Sequence, residues 1–162
     1  MSQPAKKQEY SFLVQDMTAD HVRQVLQDQY PGQDEAAHER LVDHFLTLAS
    51  LGEGVAGIDP ETGRAFYIAG IRIQWPGRAE TFSLGGTNGA MEPYRGGIAK
   101  FCAEQVAAWA AKHKLHRIDG VISNQDGKEA HMFMRALGFS AESVLRAYGP
   151  QGEDWTMYAR LF

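Results

Sequence analysis

The residues whose types and spacing could do chemistry are Arg95-Gly96-Gly97-Ile98-Ala99, which open a helical pattern running to Lys114. Adjacent glycines at a helix start leave backbone N–H groups unshielded by side chains. Unpaired first-turn amides and the helix macrodipole both favour an anion, so this turn could hold a phosphate or pyrophosphate largely through backbone. The same two glycines would also serve if they only shaped a sharp entry from loop to helix. Metal chemistry has less support. His21, His38, His44, His113, His116 and His131 show neither the paired spacing with an intervening glutamate nor the Cys/His clustering of zinc sites, so no metal is expected. Cys102 is the only cysteine, which excludes an intrachain disulfide, and its place in an apolar helical pattern predicts a buried thiol.

Composition narrows the setting. At 162 residues the chain is the size of one domain, and 44% hydrophobic with 22% charged residues suits a packed globular core. The expectation is a disordered tail over residues 1–9 and a single domain over 10–162. A net charge of -4 supplies no bulk attraction to nucleic acid or an anionic membrane, and no stripe of interleaved aromatic and basic residues offsets it. No apolar run approaches the roughly 18 residues of a membrane span. The first residues lack an apolar signal core, so the cytoplasm is the expected compartment.

The elements that must position the glycine turn follow from periodicity. Tyr10 to Met17 alternates as a strand, and Thr18 offers the cap of a short helix bearing Val22, Val25 and Leu26. Asp34 caps a second helix with Ala37, Leu41, Phe45 and Leu48 at helical spacing. Gly54 to Ile58, a turn at Asp59 to Gly63, and Arg64 to Trp75 then read as a hairpin. The second strand changes parity between Ile68 and Ile71, which predicts a bulge at Gly70. Glu80 to Leu84 is another strand, and Gly85 to Met91 a Gly- and Asn-containing loop leading to the glycine turn. Beyond the third helix come a strand (Leu115 to Ser123), a short helix (Glu129 to Leu137), an extended stretch (Phe139 to Tyr148) and a last strand. In that strand Trp155, Met157, Ala159 and Leu161 share one parity and are expected to form its apolar face.

This order, with Pro93-Tyr94-Arg95-Gly96-Gly97-Ile98-Ala99 opening the third helix and Ala136-Leu137-Gly138-Phe139 closing the fourth, resembles the GCN5-related N-acetyltransferase (GNAT) superfamily. The resemblance is strongest from Pro93 to the C-terminus. It implies an α/β (α+β) fold: a GNAT-like mixed, mostly antiparallel sheet of about seven strands with four helices packed on its faces. It also implies that the fourth and fifth strands part at one end to admit acetyl-CoA. Carried over residue by residue, the cofactor would be held by Phe82, Ser83 and Leu84 of the fourth strand, by Arg95, Gly96, Gly97, Ile98 and Ala99, and by Asn124 after the fifth strand. Three features depart from the family pattern. Tyr94 stands where Gln or Arg is usual, and the loop from Asn124 to Ala130 is longer than usual. Met134 replaces the tyrosine that usually protonates the departing thiolate, and a thioether has no proton to give.

The resemblance implies acetyl transfer from acetyl-CoA to a primary amine by direct attack, with Glu80 as the base and His131, one helical turn before Met134, as a substitute acid. Glu80 reads equally as an exposed strand-end carboxylate, and His131 as a rim histidine. The spacing around Trp75-Pro76-Gly77-Arg78 is also similar to GNAT-type proteins of tailed bacteriophages. That similarity implies a second function: a catalytically degenerate virion-associated or assembly module with protein partners, in host cytoplasm or virion.

Overall fold

The computed structural model describes residues 10–86 and 91–162. The tail expected over residues 1–9, and residues 87–90 of the expected loop, lie outside the described residues. The chain begins with β1 (Leu13–Asp16), α1 (Ala19–Gln29) and α2 (Glu35–Ser50). Both helices start where side chains can satisfy first-turn amides: Thr18 Oγ1 accepts from the His21 N–H (3.3 Å), and Asp34 Oδ1 from the Ala37 N–H (2.8 Å). Three antiparallel strands follow, β2 (Gly52–Ile58), β3 (Ala65–Trp75) and β4 (Arg78–Gly85). The β2–β3 turn closes on Asp59, whose Oδ1 accepts the amides of Glu61 (2.8 Å) and Thr62 (3.2 Å).

A 3-10 turn over Glu92–Tyr94 runs directly into α3 (Arg95–Lys112), and β5 (Arg117–Ser123), α4 (Lys128–Ala136), β6 (Ser140–Leu145) and β7 (Trp155–Leu161) complete the chain. The strands form one sheet in the order β1-β2-β3-β4-β5-β7-β6. Every neighbouring pair is antiparallel except β4 with β5. This is the mixed, mostly antiparallel seven-stranded sheet with four helices that the sequence implies. One face packs Val22, Val25, Leu26 and Val42 of α1 and α2 on Ala56, Ile58 and Ile68. The other buries Ile98, Phe101, Cys102, Val106 and Trp109 of α3 against Tyr67, Ala69, Ile71 and Ile118.

Covering both faces explains where the expected parity fails. β3 is buried without interruption from Ala65 to Ile71, so alternation carries no information there. The register runs unbroken through Gly54↔Gly70↔Phe82, and the expected bulge at Gly70 is absent. The irregularities fall elsewhere: Phe66 is the extra residue between Ile58↔Ala65 and Gly57↔Tyr67, and Gln74 that between Ile73↔Ala79 and Trp75↔Arg78. Gly70 is glycine because of its neighbours. A Cβ there would sit 2.2 Å from the Glu53 carbonyl oxygen and 2.3 Å from Phe82 Cζ.

The last strand also corrects the expectation. Its most buried residue is Tyr158, on the parity opposite Trp155, Met157 and Ala159, while Leu161 is exposed. Tyr158 belongs to the core that contains Met134 and Leu137, whereas the other face of β7 is only partly covered. The Leu137-Gly138-Phe139 element has a physical basis. Gly138 takes the left-handed conformation that ends α4 (φ +85), burying Leu137 and Phe139 on either side. Arg160 Nη1 then donates to the carbonyls of Leu137 (2.9 Å) and Ala103 (3.0 Å), tying α4 and α3 to β7.

Candidate active site

The site begins where the sheet opens. β4 and β5 pair through only three positions, Arg78↔Arg117, Ala79↔Ile118 and Glu80↔Asp119. Beyond Glu80 they part, and the stretch from Thr81 to Gly85 keeps partners only on its β3 side. An ion cluster holds the closed end. The buried Asp119 carboxylate lies 2.5 Å from the guanidinium groups of both Arg78 and Arg117, and Arg117 also pairs with Glu142 (2.5 Å). A carboxylate this buried is tolerated only with close cationic partners, so the clamp fixes where the divergence starts. At the fork, a Cβ on Gly120 would meet Met134 Cε at 2.7 Å and Thr81 Cγ2 at 2.9 Å. The Met134 thioether therefore fills the space that a side chain at 120 would need.

The divergence creates a cleft of about 440 Å³ that runs between the two faces of the sheet. Phe82 packs towards Phe45 of α2, with ring centroids 5.9 Å apart, so even-numbered β4 residues face α1 and α2. Ala79 belongs to the α3 core, so Thr81 and Ser83 face α3 and α4. The α3 and α4 side of the lining includes Tyr67, Ser83, Cys102, Gln105, Gly120 and Met134, and the α2 side His44, Phe45, Leu48, Phe82, Val121 and Trp155. Burial pushes the Tyr67 hydroxyl well above the ordinary phenol range. It also pushes the Cys102 thiol up to about 11, so both groups stay protonated; Cys102 Sγ lies 3.5 Å from the Tyr67 hydroxyl.

The expected site residues divide into groups. Phe82 and Ser83 line the cleft, whereas Leu84 is half-buried and packs with the α1 and α2 core. Arg95, Gly96, Gly97, Ile98 and Ala99 form the first turn of α3, about one turn before Phe101, where the lining begins. The N-cap residue, Tyr94, makes no side-chain capping bond to this helix end. A Cβ on Gly96 would meet nothing within 4 Å, but one on Gly97 would lie 3.3 Å from the Phe12 ring. Ile98 is buried in the core, leaving only its backbone for a ligand, and Arg95 pairs with Glu92 at the surface (2.9 Å).

Three other expected residues lie outside the lining and are engaged elsewhere. Glu80 sits at the last paired position on the α2 side, its Oε2 2.5 Å from Arg72 Nη2 and 3.2 Å from Gln74 Nε2. His131 Nδ1 lies 2.8 Å from the hydroxyl of the buried Tyr158. Asn124 Oδ1 accepts from Thr156 Oγ1 (2.6 Å), fastening the end of β5 to β7. Lining residues that the sequence did not single out for the site include the aromatics Phe45, Tyr67, Phe101, Trp109, Phe133 and Trp155, and His44. Phe45 was visible as part of a helical apolar stripe. Trp155 was visible only as part of the apolar parity of the last strand, and it reaches the cleft because β7 pairs with β5.

Among the described residues, no group of three or more His, Cys, Asp or Glu side chains could hold a metal, and no helix is long and apolar enough to cross a membrane. An open mixed sheet that parts between its fourth and fifth strands beside a glycine-opened helix is the fold of the GNAT acetyltransferases. The comparisons with solved structures agree. The chain matches a GNAT-family acetyltransferase from Bacillus anthracis with TM-score 0.70 at 14% identity, covering 93% of this chain and 95% of that one. It matches the ribosomal-protein-S5-alanine acetyltransferase from Vibrio fischeri with TM-score 0.67 at 15% identity, covering 93% of each chain. A point mutant of the spermidine N-acetyltransferase from Vibrio cholerae gives TM-score 0.69 at 11% identity, covering 91% and 94%. No protein-family model matches the sequence, and no curated protein matches it.

Proposed function

We propose that this chain is an acyl-CoA-dependent N-acyltransferase that moves an acetyl group from acetyl-CoA to a primary amine by direct attack. The observation that carries the reading is the divergence of β4 and β5 after three paired residues, which frees a β-strand edge in a cleft that α3 lines from Phe101 onward. The residues present fit the cosubstrate. Among the described residues, Gly96 faces open space at a helix end that its N-cap residue Tyr94 does not cap, where backbone can approach phosphate, and Phe82 and Ser83 lie on the free edge, where backbone can pair with amides. In this reading Arg95 to Ala99 hold the phosphates, Phe82 to Leu84 align the chain that carries the thioester, and Asn124 closes the end of β5.

Acetyl-CoA supplies the activated thioester carbonyl. The chain supplies position, polarity and proton management. A backbone N–H on the β4 edge donates to the carbonyl oxygen as negative charge grows there. Glu80, on the face opposite α3, takes the amine's proton through water at the fork, with Arg72 and Gln74 fixing its carboxylate. At the thiolate end the side chain is Met134, so departure relies on the thiol's own acidity; His131, one turn away, is already paired with Tyr158.

Release of free thiol from acetyl-CoA, measured with and without a panel of primary amines, tests this reading. Amine-dependent release that falls about 10²-fold in Glu80→Gln supports it. A second reading is favoured by Met134 and by Tyr94 in the degenerate glycine turn: a GNAT-fold module, phage-encoded and virion-associated, whose cleft no longer turns over. It expects no thiol release with any amine.

A further inference from the structure

The α2 side of the cleft is assembled from Phe45, Leu48, Phe82, Val121 and Trp155, with His44 at its exposed rim. Three of these are aromatic, and none carries a charge that a second charged group on an acceptor could meet. Among the described residues, the whole lining holds no lysine or arginine, and its single carboxylate is Asp126, on the loop after β5. Four carboxylates of β4, β5 and the β6–β7 connection have partners. Glu80 is held by Arg72 and Gln74, and Asp119 by Arg78 and Arg117. Glu153 accepts from the Trp155 indole N–H (3.2 Å), and Asp154 is bound to Arg146 and the Ala147 amide (2.9 Å each).

An acceptor entering from this side meets apolar, ring-shaped surface. A polyamine would bring several extra ammonium groups to a lining whose single carboxylate is Asp126, and an amino acid would bring a carboxylate with no cation. Resting on the acyltransferase reading above, we propose that the acceptor is a primary amine carried on an uncharged apolar group the size of an aromatic ring. The ring packs between Phe45, Phe82 and Trp155 and thereby aims the nitrogen at the fork.

The test uses the full-length protein and three primary amines: phenethylamine, spermidine and glutamate. Two readouts are taken, thiol release from acetyl-CoA and direct calorimetric binding of each amine. Phenethylamine should exceed the other two by about 30-fold in kcat/KM and in affinity, the scale expected for burying one ring. Leu48→Glu, on the surface of α2, should lower its affinity about tenfold or more and favour spermidine instead. Trp155→Ala provides an independent loss of the same kind if the first variant does not fold. Preference for spermidine or glutamate, equal treatment of the three, or binding of none overturns the proposal. Phenethylamine binding that is lost in the variants, without thiol release from any amine, would uphold this pocket while overturning the acyltransferase reading.

Discussion

Met134 reaches into the fork of the sheet against the bare backbone of Gly120, its Cε 2.7 Å from where a Cβ on Gly120 would stand. Met134, which stands where the family resemblance puts a proton donor, is therefore in the cleft, and its thioether has no proton to give. Met134→Tyr should place a hydroxyl in that space and raise kcat by about tenfold or more, since positioned acids contribute about 10²–10⁴-fold. The gain should be largest below about pH 8, under the ordinary thiol pKa. A pH profile of thiol release for wild type and variant checks this. An unchanged kcat would show that proton delivery at this position does not limit turnover.

The two glycines of the α3 turn should behave differently. Gly96 faces open space, so Gly96→Asp should leave the fold intact while placing a negative charge where an anion would sit. CoA raises the melting temperature by mass action if it binds only the folded state, and this variant should lose that shift. Gly97→Asp should instead lower the melting temperature of the unliganded protein, because its side chain would press on Phe12. Thermal scans of both variants with and without CoA separate the two roles.

Gly70 and Phe82 form a packed pair across β3 and β4. Gly70→Ala should cost about 1–3 kcal/mol, since one obstacle is the Glu53 carbonyl, which is backbone and cannot swing aside. Urea denaturation would measure this, and a change below about 0.5 kcal/mol would contradict the packing described here.

Cys102 makes a prediction about alkaline pH. Burial first, opposed by its contact with Tyr67, raises the thiol from an ordinary value of 9.0 to about 11. A raised folded-state value means the contribution to stability is whole below the unfolded thiol's pKa and disappears as pH rises through the folded one. The melting temperature should fall between about pH 9 and 11, and fall less in Cys102→Ala. Tyr67, raised by the same burial, accounts for slope that remains at still higher pH. A thiol reagent should label Cys102 slowly at neutral pH.

Much of the fold was legible because its signals are local. Thr18 and Asp34 cap the helices they were expected to cap, and Asp59 to Gly63 form the expected turn. Gly138 ends α4 in the one conformation where glycine is favoured. What was not legible depends on which faces of a strand the helices cover. In β3, coverage of both faces hid the bulge at Phe66 behind a false parity change at Gly70, whereas in β7 the core covers the face of Tyr158 more fully than the face richer in apolar residues. The candidate site divides in the same way. The glycine turn and Met134 could be placed from the chain, but the commitments of Glu80 to Arg72, His131 to Tyr158 and Asn124 to Thr156 are contacts that local sequence does not encode.

The central claim is that the opening between β4 and β5, with the start of α3, is a CoA site. Isothermal titration of the full-length chain with acetyl-CoA, and separately with desulfo-CoA, addresses it most directly. The account predicts saturable one-to-one binding of both ligands, abolished in a folded Gly96→Asp variant. Absence of heat and of thermal stabilisation at millimolar ligand, or binding that Gly96→Asp leaves unchanged, would contradict it.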